Sequence, residues 1–290
     1  MSTNLKDKVL GSLVGFAVGD AMGATTEFMT KEQIRKEYGY ITEILGGGWL
    51  NLKKGMVTDD TQMMLCVGYG MLAGHPDEDT RLNLICKNFV DWLDSNPPDV
   101  GNCCRVAISS NRSKGHWSRW LIENSRRQHY YCKEDLGNGG LMRCLIPCLT
   151  GDITLAVNQS NLTHYNPTCI KAVQDYFWEI QNFLADYPIS TDRQHMDPTG
   201  HVVNTVNNAI YWATIHPLTG IVPAVNDGGD ADTIAALTGG LIGAHLGFKT
   251  FYGTHPEWVK TLDKTVFTEL RRMTNFIVKA RNNCEYSDTV

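Results

Sequence analysis

Two short runs of this chain crowd hard oxygen donors where a helix begins. Thr58-Asp59-Asp60-Thr61 opens the apolar stretch Gln62 to Ala73. Gly229-Asp230-Ala231-Asp232-Thr233 opens a longer, glycine-marked one. A single Asp or Thr at a helix start needs no chemistry, because its oxygen caps free backbone N–H groups and suits the positive end of the helix dipole. Three or four such side chains exceed what capping uses, and the surplus occurs twice. Carboxylates held close together repel and push one another toward protonation unless a cation joins them. Hard divalent cations take carboxylate and hydroxyl oxygens. Thr58, Asp59, Asp60, Asp230, Asp232 and Thr233 are therefore expected to converge on one or two Mg2+ or Mn2+ ions.

Other groups could act beside them. Asp20 and Glu27 close the first helical stretch; their plain readings are a polar helix end and a surface charge. Asp99 lies in Pro97-Pro98-Asp99-Val100-Gly101-Asn102, where it caps the following helix or serves as a carboxylate on a stiffened turn. Gly137-Asn138-Gly139-Gly140 and the turn at Gly228-Gly229 could offer backbone amides to phosphate. His164 precedes a proline-started helix. Tyr211 and Trp212 could stack on a base, with core packing the plainer role. Arg112, Lys114, Arg119, Arg126, Arg127 and Lys133, interleaved with Trp117, Trp120, Tyr130 and Tyr131, read as a solvated loop and helix or as a surface for an acidic partner.

The elements that must hold these groups are helices. Leu5 to Met22 has helical apolar spacing, and its glycines recur at every fourth position: Gly11, Gly15, Gly19 and Gly23. That spacing puts them on one face, a groove for a close-packed neighbour. The helix after Asp232 carries Gly239, Gly243 and Gly247. These two striped helices are expected to pack on each other or on a shared neighbour, which would bring Asp20 and Glu27 near the acidic runs. Further helices are predicted over 30–38, 62–72, 80–93, 103–109, 155–162, 168–184, 202–215, 218–225 and 267–280. Gly46-Gly47-Gly48-Trp49 reads as a loop. Strand-like alternation is nowhere sustained, so the expectation is an all-α bundle forming a single domain over residues 1–290.

Composition narrows the class. With 26 basic and 31 acidic residues the net charge is −5, which argues against a general nucleic-acid surface. No stretch approaches the roughly 18 apolar residues of a membrane span, and residues 1–10 lack an apolar signal core. The nine cysteines are scattered without a Cys-x-x-Cys pair, which fits a reduced, cytoplasmic protein.

Several segments together resemble the ADP-ribosylglycohydrolase family. They are Gly15-Phe-Ala-Val-Gly-Asp20-Ala-Met-Gly-Ala-Thr-Thr-Glu27-Phe28, Gly46-Gly-Gly-Trp49, Thr58-Asp-Asp-Thr61, Gly137-Asn138-Gly139, Thr163-His164 and Gly229-Asp-Ala-Asp-Thr233. The resemblance runs nearly end to end. The Gly-Gly-Gly-Trp and Pro-Pro-Asp-Val-Gly segments look most like the bacterial branch that acts on dinitrogenase reductase. The resemblance implies an orthogonal all-α helical bundle and two Mn2+ or Mg2+ ions held by Thr58, Asp59, Asp60, Asp230, Asp232 and Thr233. It implies Glu27 and Asp99 as catalytic carboxyls. Asn102, Gly137, Asn138, Gly139 and His164 would surround ADP-ribose, the product. The substrate would be an arginine-ADP-ribosylated protein, dinitrogenase reductase in that branch. Asp227 stands where the branch usually has Gln, and 111–136 does not resemble the family clearly. Other linkages remain open, through serine, nucleic acid or acetyl. So do a two-metal phosphoesterase and a non-catalytic ADP-ribose-binding module.

Overall fold

A computed structural model of the protein describes residues 2–109, 116–131, 135–187 and 192–287. Among them are fourteen helices and no sheet; the only strand-like pairings are isolated bridges, Gly47 with Leu52 and Gly137 with His201. The fold is all-α, as the spacing predicts. It is organised by its two glycine-striped helices, α1 (Ser2–Gly23) and α12 (Ala231–Thr254).

These two helices lie against each other over their whole shared length, in opposite directions. Gly11 faces Gly243, Gly15 faces Gly239, Gly19 faces Ala235 and Gly23 faces Ala231 and Asp232. A methyl group at Gly15 would sit 2.2 Å from the Gly239 carbonyl oxygen, and one at Gly19 would sit 2.0 Å from that of Ala235. No side chain fits there. Each interior glycine costs about 1 kcal/mol of helix propensity, which backbone-to-backbone packing over this seam offsets. Ser12 adds a cross-link by donating to the Gly240 carbonyl at 2.8 Å. The seam ends at Gly247, whose φ of 72° breaks the helical path of α12.

The antiparallel arrangement sets the end of α1 beside the start of α12. A third element, α3 (Asp59–Leu72), begins at the same spot, and Asp20 ties it there. The Asp20 carboxylate is fully buried and accepts the Thr58 N–H at 2.9 Å and the Thr61 N–H at 3.0 Å. Asp20 thus caps the first turn of a helix 38 residues further along the chain.

Around this frame pack α4 (Glu78–Asp94), α5 (Asn102–Ser109), α6 (Trp117–Tyr131), α7 (Leu145–Thr150), α8 (Ile153–Asn161), α9 (Pro167–Leu184), α10 (Val202–Ile215) and α14 (Lys264–Ser287). The shorter α2 (Lys31–Glu37), α11 (Ile221–Asp227) and α13 (Pro256–Thr261) complete it. One hydrophobic cluster runs from Val9 on α1 to Ile277 on α14. The spacing missed α7 and α13, each only six residues long, and ended α14 short. Asp99 does not cap α5: its carboxylate accepts the N–H of its own neighbour, Val100, at 2.7 Å.

Candidate active site

At the shared end of α1, α3 and α12 opens a cleft of about 430 Å³. Its floor is acidic. Asp59, Asp60 and Asp232 are buried, and Asp230 is half-buried. Asp60 joins the two acidic runs, for its Oδ2 accepts the Thr58 hydroxyl at 3.2 Å and the Thr233 hydroxyl at 3.4 Å, 173 residues apart from it. The Asp232 Oδ1 accepts the Thr233 N–H at 2.9 Å. The convergence expected from residue types is therefore present, with all six oxygen-bearing residues at one place.

The tightest carboxylate group is not the expected six. Glu27, Asp230 and Asp232 each bring an oxygen within 4.8 Å of the others. Glu27 is no surface charge: it is 6 % exposed and stands on the rim of the floor. Its Oε2 accepts the indole N–H of Trp49 at 2.6 Å, so the glycine loop 46–48 serves to bring an aromatic side chain over the floor. Trp49 was not legible as a site residue, because its partner Glu27 lies 22 positions away.

The electrostatics follow from burial. Desolvation drives the carboxyls of Asp59, Asp60 and Asp232 well above the usual carboxylate range, and their mutual repulsion adds to it. Burial pushes Glu27 up to about 8, assisted by the charges of Asp99 and Asp230 and opposed by the Trp49 bond. Asp230 rises to about 6 through burial, opposed by the Asn138 amide that donates to its Oδ2. Asp99 is raised by burial and lowered by the Val100 N–H. No Lys or Arg forms an ion pair with this floor among the described residues. The Oδ1 of Asp60 is buried without any hydrogen-bond partner. An orphaned carboxylate oxygen inside an all-oxygen donor set is what a hard divalent cation fits. The residues present suit Mg2+ or Mn2+.

The far end of the cleft differs. Gly137, Gly139, Met142 and His164 line it, with Asn102 and Asp99 at the side. The His164 ring packs on the two glycines, and a methyl at Gly139 would come within 2.8 Å of its Cε1. Phe28 and Trp49 stand at the mouth, 67 % and 53 % exposed, with ring centroids 5.4 Å apart. Phe28 holds a left-handed backbone, φ 62°, pinned by its N–H donating to the Gly229 carbonyl at 2.7 Å. Such a conformation costs a non-glycine residue roughly 1 kcal/mol.

Other expectations fall elsewhere. The Gly229 amide donates to the Met29 carbonyl and is not free for phosphate. Tyr211 and Trp212 pack with His195 away from the cleft lining. Asp227 is a structural lock, holding His195 Nε2 at 2.6 Å and pairing with Lys31. In the basic-aromatic stretch, Arg119, Arg126 and Arg127 lie on α6, while Arg112, Lys114 and Lys133 fall outside the described residues. No described helix is long and apolar enough to cross a membrane.

The chain is similar to known proteins along most of its length. A family model described as ADP-ribosylglycohydrolase matches residues 1–181 and 174–286. The chain is 33 % identical over 301 residues to an ADP-ribosyl-[dinitrogen reductase] glycohydrolase of Rhodospirillum rubrum, covering 95 % of this chain and 97 % of that one. It is 27 % identical to the ADP-ribosylarginine hydrolase Tri1 of Pseudomonas putida (strain GB-1), covering 88 % of this chain and 74 % of that one. A solved structure titled ADP-ribosylglycohydrolase-related protein complex superposes with a TM-score of 0.72 at 22 % identity, over 96 % of this chain and 99 % of that one.

Proposed function

The chain belongs to the ADP-ribosylglycohydrolase family, and from that premise we propose that it hydrolyses the N-glycosidic bond between ADP-ribose and an arginine side chain of a modified protein. Relatives named for arginine and for dinitrogen reductase support the linkage and make dinitrogenase reductase the favoured target. The observation that carries the reading is the junction at Asp60, where hydroxyls from both acidic runs meet on one buried carboxylate.

Thr58, Asp59, Asp60, Asp230, Asp232 and Thr233 would hold two Mn2+ or Mg2+ ions, with Glu27 close enough to join them. When bound, the ions supply positive charge that neutralises the carboxylates and polarises the sugar oxygens. The chain's own residues do the rest. As the C–N bond breaks, the anomeric carbon becomes cationic, and the Asp99 carboxylate, which the ions do not claim, stabilises it. Asp99, half-buried at the side of the cleft, accepts the proton of the incoming water as the C–O bond forms. The departing guanidine then takes up that proton, so atoms and charge balance. The exposed faces of Phe28 and Trp49 suit a planar cation, which favours arginine over the other linkages.

The single core cluster supports one domain over residues 1–290. The seven free cysteines among the described residues suit a cytoplasmic setting. The test is incubation with arginine-ADP-ribosylated dinitrogenase reductase, with and without Mn2+. Metal-dependent release of ADP-ribose is expected. Release of AMP would indicate a phosphoesterase instead, and tight binding without release would indicate a reader.

A further inference from the structure

Behind the glycine end of the cleft lies the largest fully buried side chain of the described residues, Arg143. The apolar run 141–149 conceals it in the sequence. No carboxylate pairs with it among the described residues. Its guanidinium is satisfied instead by neutral acceptors: Nε donates to Gln159 Oε1 at 2.8 Å, Nη1 to the Gly139 carbonyl at 2.7 Å, beside a weaker contact to Cys104 Sγ at 3.4 Å, and Nη2 to the Gln159 carbonyl at 2.8 Å. The ring of Phe89 lies 4.8 Å from its Cζ. Burial lowers the pKa of Arg143, but a guanidinium keeps its proton in such surroundings. A permanent, uncompensated cation therefore lies directly behind a pocket whose other end is acidic.

The fourth bond gives that cation a second role. Nη2 also donates to the Thr163 hydroxyl at 2.8 Å, and that oxygen is 2.8 Å from His164 Nδ1. Thr163 accepts from Arg143, so the hydroxyl hydrogen is left to donate to Nδ1. If Nδ1 carried a proton instead, the buried hydroxyl hydrogen would lose its only strong acceptor. His164 Nδ1 is thus an acceptor, and the proton of the neutral ring resides on Nε2. That atom has no protein partner among the described residues, although the side chain is 2 % exposed, and it lies at the Gly137 edge of the cleft.

We propose that Arg143 is a positioning residue that acts through Thr163 to hold His164 as a neutral Nε2–H donor toward the ligand that the family resemblance places in this cleft. The assignment of the ligand rests on the ADP-ribose reading above; the tautomer does not. A neutral donor backed by a buried cation attracts an anion without itself titrating near neutral pH, since burial and then the charge of Arg143 hold His164 down to about 3. The same guanidinium fixes the Gly139 carbonyl and so the shape of the glycine turn.

The test uses the whole protein, loaded with saturating Mg2+, which is diamagnetic, for the spectra and with Mn2+ for the binding measurements. Long-range 15N–1H spectra of 15N-histidine-labelled protein are expected to show His164 with Nε2 protonated and Nδ1 bare. Thr163→Val, which keeps the shape and removes the hydroxyl, should weaken ADP-ribose affinity by about tenfold while Mn2+ affinity stays unchanged. His164→Ala, which removes the donor, should weaken ADP-ribose affinity by a similar factor. Adding Thr163→Val to His164→Ala should then cost nothing further, an outcome that a merely structural Thr163 would not give. Arg143→Lys should restore only part of the affinity that Arg143→Met loses. An Nδ1–H or doubly protonated ring in the wild type overturns the relay whatever the substrate. A further tenfold loss when Thr163→Val is added to His164→Ala overturns it as well. An Nε2–H ring in a protein that does not bind ADP-ribose overturns instead the reading of the ligand.

Discussion

The acidic floor and the surroundings of Arg143 share one cleft and bury charge in opposite ways. Arg143 has its donors matched to carbonyls, an amide, a hydroxyl and the Cys104 thiol, so the fold completes its environment unaided. The floor gathers Asp59, Asp60, Asp230, Asp232 and Glu27 with no paired cationic side chain among the described residues, and leaves Asp60 Oδ1 unpaired. Burying an ion costs several kcal/mol unless hydrogen bonds or opposite charge offset it. The Arg143 side has met that cost within the chain. The floor has not met it among the described residues, and its carboxylates could be neutralised by a metal ion, at a cost in stability that a structural site would have no reason to carry.

The largest effect should separate the two regions by function. Asp60→Ala or Asp232→Ala should reduce turnover by at least about a thousandfold and weaken Mn2+ binding, with the helical circular dichroism unchanged. Wild-type turnover in either variant would break the distinction. Next comes stability, where the signs should differ. Arg143→Met orphans four oxygen acceptors and the Cys104 thiol contact and should cost about 2–4 kcal/mol. Asp60→Asn relieves repulsion and should stabilise the metal-free protein by about 1 kcal/mol. Urea unfolding of both variants without metal checks this.

The pH dependence sharpens the contrast. Glu27 and Asp230 have folded pKa values raised to about 8 and about 6, above those of the unfolded chain. The metal-free folded state therefore binds more protons than the unfolded state through that window. Its stability should be highest near pH 4 and fall as the pH rises toward 8, with a slope of about 1.4 kcal/mol per pH unit for each proton involved. Saturating Mn2+ should flatten the profile. A metal-free protein whose stability rises over that range would contradict the described electrostatics. The smallest effect belongs to the mouth. Phe28→Ala should raise KM for an arginine-linked substrate about three- to tenfold and leave that for a serine-linked one unchanged, as steady-state kinetics on both would show.

What could be read from the chain divides along the same line. The floor was legible because its residue types are wrong for mere capping. The seam was legible because glycines four apart must share a helix face, and Gly15 does meet Gly239 there. The Arg143 network was not legible: its acceptors on Gly139, Gln159 and Thr163 belong to separate elements, and a lone Arg in an apolar run carries no period. Glu27 by residue type alone reads as a surface charge, and it is the seam and the family resemblance that set it beside the acidic runs, where it is buried. Its burial depends on Trp49, brought in by a glycine loop whose backbone path no side-chain pattern encodes. Asp99 follows two prolines as a cap would, yet its carboxylate turns to Val100 and leaves its side of the cleft open.

If the acidic runs at 58–60 and 230–233 are the two halves of one cation site, anomalous diffraction at the manganese edge from crystals grown with Mn2+ should show peaks between the runs, within about 2.2 Å of carboxylate oxygens from both Asp60 and Asp232. Manganese bound to one run only, or no peak in the cleft, rules the shared site out.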